Sequence, residues 1–256
     1  MSEPDSAPSI PVGHTTPIPH LDRMAMGHMS SHLRLWFVTA LGLAADLWTK
    51  NWAFGSLTSS ESRVVIKNLC NLQLSLNPGA LFGIGAGMAP IFVGASVLAL
   101  LFVLYLFANS GSRRWSMHIA LGLVLGGALG NLWDRTTQEA YVARFADGRR
   151  VVGTLHGEPS ESGVMLGDFP DGQNPRFFNG RLDSDASGVQ PVVRDFIRIE
   201  AKINGYHLWP WVFNIADALL VFGVGILLIN FWFDRRHHQA QVRAAPGEGE
   251  TAVDAV

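Results

Sequence analysis

Apolar residues along this 256-residue chain gather into four long runs separated by polar stretches. A helix needs about 20 apolar residues to cross the hydrocarbon core of a bilayer. The runs from Leu33 to Phe54, Met88 to Phe107, Trp115 to Trp133 and Val212 to Phe233 reach that length, and they predict four membrane-spanning helices. The second run carries no charge, whereas the first has Asp46 and Lys50 in its last two turns. The third is rich in small residues (Gly122, Gly126, Gly127, Ala128 and Gly130), which let helix backbones approach closely in lipid. Trp48, Trp52, Trp115, Trp133, Trp209, Trp211 and Trp232 fall at the ends of runs, as an interfacial aromatic belt requires.

Between the runs the period changes. Leu72 to Asn77 alternates apolar and polar residues and predicts a half-buried strand, with Val64, Val65 and Ile66 as its partner. Asn77-Pro78-Gly79 then turns the chain. Residues 136–190 are polar and rich in Gly, Asp and Ser, and they read as an insertion. It has room for a hairpin of Tyr141–Phe145 and Val151–Leu155 around Asp147-Gly148. The fold expected is an all-α membrane protein: four transmembrane helices, a small outward-facing β element at 60–82, and a polar insertion before the fourth helix. Residues 1–32 are expected as a disordered cytoplasmic tail and 33–135 as the first three helices with the β element. The insertion at 136–190 faces outward, 191–233 leads into and forms the fourth helix, and 234–256 is a cytoplasmic tail.

Charge sets the expected orientation. The short loop containing Arg113 and Arg114 has no acid, and Arg235 and Arg236 follow the last run, so both are assigned to the cytoplasm. The termini are then cytoplasmic, and the long loops face outward. Residues 1–32 lack the apolar centre of a cleavable signal peptide. A net charge of −2, with no basic stripe, excludes nucleic acid as a partner. The single Cys70 excludes an intrachain disulfide framework. His28 and His32 have no acidic partner, His237 and His238 read as a solvated basic end past the last run, and no metal or cofactor is expected.

Candidate chemistry collects at one depth, the outward boundary of the predicted spans. It comprises Asp46 and Lys50 on the first, Asn77 after the strand, and Asn131, Asp134 and Arg135 at the end of the third. Asp195, Asn214 and Asp217 surround the start of the fourth. Ionisable residues at membrane depth are costly and mark functional sites. Structural readings stand beside the functional ones. Asp46 and Lys50, at i and i+4, can form an intrahelical ion pair. Asn131 and Asn214 can cap or bridge helices, and Asp134 with Arg135 can mark a span's end. Asp217, one turn inside an apolar run, is the acid least explained this way.

Five blocks in order resemble the lipoprotein signal peptidases (signal peptidase II), bacterial intramembrane aspartic proteases. They are Asp46-Leu-Trp-Thr-Lys50, Asn77-Pro-Gly-Ala-Leu-Phe82, Gly126-Gly-Ala-Leu-Gly-Asn-Leu-Trp-Asp-Arg135, Val193-Arg-Asp-Phe-Ile197 and Phe213-Asn-Ile-Ala-Asp217. The resemblance runs from about residue 34 to 233, outside the insertion. It implies an aspartic endopeptidase that removes the signal peptide from diacylglyceryl-modified prolipoproteins by cutting before the lipidated cysteine. The catalytic pair then falls on Asp195 and Asp217, and Asp134 is not one of them. Asp46, Lys50, Asn77, Asn131, Arg135, Asn214 and Ala216 match supporting and substrate-contacting positions. The implied partners are the prolipoprotein and membrane lipid, the implied place is the bacterial inner membrane, and nothing demands more than a monomer. Three features depart from the family: the long stretch between Arg135 and Val192, Leu81 where a small residue is usual, and the N-terminal tail. Two other readings are a non-enzymatic four-span protein using Asp217 as a proton relay, and a catalytically dead relative whose insertion binds a partner.

Overall fold

The computed structural model describes residues 24–79 and 89–244. Ala80, Leu81 and Phe82 of the second block, Met88, and most of the two predicted tails lie outside them. A short 3-10 turn, Ala25–Gly27, precedes four helices: α1 (Met29–Ser56), α2 (Ala89–Ala108), α3 (Trp115–Thr137) and α4 (Ile215–Ala244). Helix α1 thus begins ahead of Leu33, and α4 continues through Asp234, Arg235 and Arg236 past the end of the apolar run.

Helix α3 is the centre of the bundle and packs against α1, α2 and α4. Its small residues make this possible. A Cβ on Gly127 would lie 2.5 Å from the Ala216 carbonyl oxygen, so α4 crosses α3 at a distance only glycine allows. Leu35, Phe107, Leu121, Leu125 and Leu227 close the core at the end of the bundle away from the sheets. The outer faces stay apolar. Only 17% of the apolar stretch of α4 is buried inside the protein, against 61% for α3. Val221, Phe222, Leu228 and Ile229 on α4 are exposed, a continuous apolar surface that water does not tolerate.

Strands β1 (Ser62–Ile66) and β2 (Cys70–Asn77) form the predicted hairpin after α1. They join β8 (Val193–Ile199) and β11 (Val212–Phe213) in an antiparallel sheet of order β1-β2-β8-β11. Ser75 pairs with Asp195 and Asn77 with Val193. This sheet sits on the end of α1 through Phe54, Leu57, Leu72, Leu74, Leu76 and Phe196.

The region 136–190 contains β3 (Glu139–Arg144), β4 (Arg150–Ser160), β5 (Gly163–Asp168), β6 (Gln173–Asn179) and β7 (Gly188–Pro191). They form a second antiparallel sheet of order β6-β5-β4-β3-β7. The β3–β4 hairpin matches the one read from the sequence, and Gly148 in its turn has φ +86°, which suits glycine. This sheet has its own small core of Ala143, Phe145, Val164 and Leu166. A further hairpin of β9 (Lys202–Ile203) and β10 (Tyr206–His207) precedes β11.

The expectation of an all-α protein with four spans is therefore corrected. The chain combines four helices with antiparallel sheets, and among the described residues two helices, Trp115–Thr137 and Ile215–Arg236, are long and apolar enough to cross a membrane. The charges of Arg34, Asp46 and Lys50 interrupt the apolar run of α1, which itself stays one continuous helix. The β content was hidden because antiparallel strands with one solvated face are short and half polar, so they read as loop.

Candidate active site

Four elements converge at the end of the bundle beneath the first sheet. Helix α1 brings Asp46, Lys50 and Asn51; α3 brings Asn131, Asp134 and Arg135. Strand β8 brings Arg194 and Asp195, and the start of α4 brings Asn214, Ala216 and Asp217. Local sequence explains the α4 start. The Asn214 Oδ1 accepts the Asp217 backbone N–H at 3.0 Å, and the Asp217 Oδ2 accepts the Asn214 backbone N–H at 3.2 Å. This is the reciprocal capping box that satisfies the first free N–H groups of a helix. A third free N–H, that of Ala216, is accepted by Asp46 Oδ1 at 2.9 Å. Gly130 leaves room for this, since a Cβ there would fall 2.3 Å from Asp46 Oδ2.

Lys50 is completely buried, with its ammonium 2.8 Å from Asp46 Oδ2, 3.3 Å from Asp134 Oδ2 and 3.2 Å from Asn131 Oδ1. Asp134 is also gripped by Arg194, which donates its backbone N–H to Oδ2 at 2.9 Å and Nη2 to Oδ1 at 2.8 Å. Arg194 Nη1 reaches Asn51 Oδ1 at 2.7 Å. Two buried cations thus hold α1, α3 and β8 together. A charge left unpaired in such a place is far costlier than a paired one.

Above this lattice lie Asp195 and Asp217. The Asn214 amide donates to Asp195 Oδ1 at 2.7 Å and to Asn131 Oδ1 at 3.1 Å. Asn131 in turn donates to Asp217 Oδ1 at 2.8 Å. Asn77, from the neighbouring strand, also favours the ionised form of Asp195. The two acids are therefore joined through two amides. Asp195 is 2% exposed, whereas Asp217 is only half-buried and meets the outside. Burial, and after it the Asp217 carboxylate, push the Asp195 carboxyl well above the usual carboxylate range; Asn214, Lys50 and Asn77 oppose the shift. Arg135 acts electrostatically on Asp217, Asp195 and Asp134. Four carboxylates here meet three cations, Lys50, Arg135 and Arg194.

All ten residues singled out in the sequence thus meet in one place. Arg194 and Asn51 were not singled out. Arg194 stands beside Asp195 in the fourth block, but its partner Asp134 is 60 residues away, so no local pattern pointed to the pair.

This arrangement accompanies a family likeness. The family described as Signal peptidase (SPase) II matches residues 38–233. A lipoprotein signal peptidase of Desulfitobacterium hafniense is 27% identical over 202 residues, covering 79% of this chain and 95% of that protein. A lipoprotein signal peptidase of Rhodopirellula baltica is 29% identical over 251 residues, covering 95% of this chain and 92% of that one. The fold is similar to that of a bacterial membrane enzyme solved by the in meso method, 23% identical, with a TM-score of 0.51 over 82% of this chain and 95% of the other. Since the family match takes in α2, α3, most of α1 and α4, the first sheet and every residue of the site, the chain belongs to the signal peptidase II family.

Proposed function

We propose that this protease works as an aspartic endopeptidase, with Asp195 and Asp217 as the pair. Its family and its relatives support the removal of signal peptides from prolipoproteins. The observation that carries the aspartic reading is the amide-linked pair, one acid buried and the other open.

Two neighbouring carboxylates cannot both ionise easily, so one holds a proton. Burial selects Asp195 for that role. Asn214 holds its Oδ1, and the other oxygen carries the proton toward the scissile carbonyl oxygen. Asp217 accepts hydrogen bonds at both oxygens and serves as the base that takes a proton from a water. That water adds to the carbonyl carbon while Asp195 protonates the oxygen. The roles then exchange: Asp217 gives its proton to the departing amine, and Asp195 recovers one as the carbonyl re-forms. Asn77, Asn131 and Arg135 surround the pair and are suited to hold substrate backbone.

The substrate is a prolipoprotein cut before its diacylglyceryl-cysteine. The acyl chains stay among lipids beside the apolar face of α4, while the peptide bond enters the polar site. The site end of α3 and α4 faces outward from the bacterial inner membrane, and the Arg114 and Arg235 end faces the cytoplasm. Every residue of the site comes from one copy of the chain, so a monomer suffices.

The test is cleavage of a diacylglyceryl-modified lipobox peptide by wild type, Asp195→Asn and Asp217→Asn. Each variant should lose at least about 100-fold in rate, the lower range for an acid or base group. Asp217→Asn keeps an oxygen for the Asn214 N–H and leaves the Asn214 cap in place, so the folded state should survive. Full activity in either variant rejects that residue, and no cleavage by folded wild type rejects the reading.

A further inference from the structure

The insertion is joined to the site by short links and direct contacts. Only Gln138 separates α3 from β3, and only Val192 separates β7 from β8; the Val192 N–H donates to the Gln138 carbonyl at 3.0 Å. Phe169, after β5, packs edge-on against Phe54 of α1 with ring centres 6.2 Å apart. The Ser59 hydroxyl donates to Asp168. Between the two sheets this leaves a cleft of about 350 Å3. One wall is Ser59 and the segment of β2 around Ser75, the residue paired with Asp195. The other wall is from the insertion and includes Arg150, Asp168 and Arg176.

The charge in this cleft is unbalanced. Asp168 is occupied: it also accepts the Asn174 amide at 3.0 Å and faces Arg176 at 3.5 Å. Arg150 has no carboxylate within ion-pair distance among the described residues. It stands directly across the β3–β4 ladder from Arg144, another cation, and the buried Arg144 Nε has no hydrogen-bond partner there. Like charges directly opposite in a sheet repel. Such a pair becomes favourable when an anion sits between or beside it.

We propose that this cleft is a substrate subsite that takes the polypeptide just after the cleavage cysteine and favours an acidic side chain in it. The inference rests on the peptidase reading. The lipidated cysteine stays at the membrane boundary, so the chain that follows leaves through water past the strands beside Asp195. The cleft runs along β2, the strand next to that of Asp195. Ser75 offers a hydroxyl to an extended backbone, and Arg150 with Arg176 offers guanidinium groups to a carboxylate. A phospholipid headgroup would use the arginines but not the strand-lined wall.

The experiment compares two diacylglyceryl-modified lipobox peptides that differ only after the cysteine, one with Asp and one with Lys in the following residues. Wild type should prefer the acidic peptide by about fivefold in kcat/KM, the upper range for a partly exposed ion pair. Arg150→Ala with Arg176→Ala should bring the ratio to about one, and Arg150→Glu should invert it. A misfolded variant cannot gain on the Lys peptide, so the inversion separates recognition from damage. Equal cleavage of both peptides by wild type, or a ratio unmoved in the variants, overturns the subsite and leaves the peptidase standing. An unmoved ratio together with lost binding to vesicles of anionic lipid assigns the cleft to headgroups and also overturns the proposal. No cleavage of either peptide by wild type overturns both.

Discussion

Replacing Lys50 by Met isolates the energetic role of the lattice under the acid pair. Methionine keeps most of the apolar stem and removes only the ammonium, which contacts Asp46, Asp134 and Asn131 at 2.8, 3.3 and 3.2 Å. Asp134 keeps Arg194, and Asn131 Oδ1 keeps the Asn214 amide. The uncompensated group is Asp46, completely buried with only the Ala216 N–H left. Breaking a buried ion pair from one side costs about 3–5 kcal/mol. At about 2–4 °C per kcal/mol for a chain of this size, the unfolding midpoint should fall by roughly 6–20 °C. Tryptophan fluorescence during thermal unfolding in detergent reads this. Adding Asp46→Asn removes the orphaned charge but keeps an oxygen for the Ala216 N–H. The double variant should therefore recover all but about 1–2 kcal/mol, the cost of an unpaired amide N–H. A Lys50→Met midpoint within 2 °C of wild type, or a double variant no better than the single, refutes the reasoning.

Two further outcomes follow from the site. Because the Asp195 carboxyl is raised by burial and by Asp217, the folded state holds a proton that the unfolded chain releases. Its contribution to stability is complete below the ordinary carboxylate range and is lost as pH rises through the folded value. Asp195→Asn should therefore raise the midpoint at neutral pH, with the gain shrinking toward pH about 4; a gain that grows on acidification contradicts this. Gly130→Ala puts a Cβ 2.3 Å from Asp46 Oδ2, displaces the acceptor of the Ala216 N–H, and should cost about 1–3 kcal/mol of overpacking with a loss of cleavage rate. An alanine variant with wild-type midpoint and rate would show that Asp46 moves freely.

Much of the site was legible in the chain because its residues lie in short blocks with strong local meaning. Asn214 at the head of an apolar run reads as a helix cap, and the structure forms that cap, with Asp217 returning the bond. The alternation at Leu72–Asn77 and the Asp147-Gly148 turn marked β2 and the β3–β4 hairpin, since period and turn residues are local properties. The glycines of the third block announced a close helix crossing, which Gly127 and Gly130 provide.

Other features were decided only in three dimensions. That Asp134 serves as an anchor follows from Arg194 and Lys50, which reach it from a strand and a helix far away in sequence. Burial of Asp195 depends on β8 pairing with β2 across more than a hundred residues, and its Val-Arg-Asp-Phe-Ile segment carries no sign of that partner. The strands of the insertion bury one face only against each other, so their composition stays polar and their pairing is invisible until they meet. The charges along α1 look like defects in a membrane helix; folding turns them into the paired centre of the molecule. Sequence determined which groups were present and how each segment coils. Tertiary structure decided which charges face one another, because ion pairing and burial depend on distance in space and not along the chain.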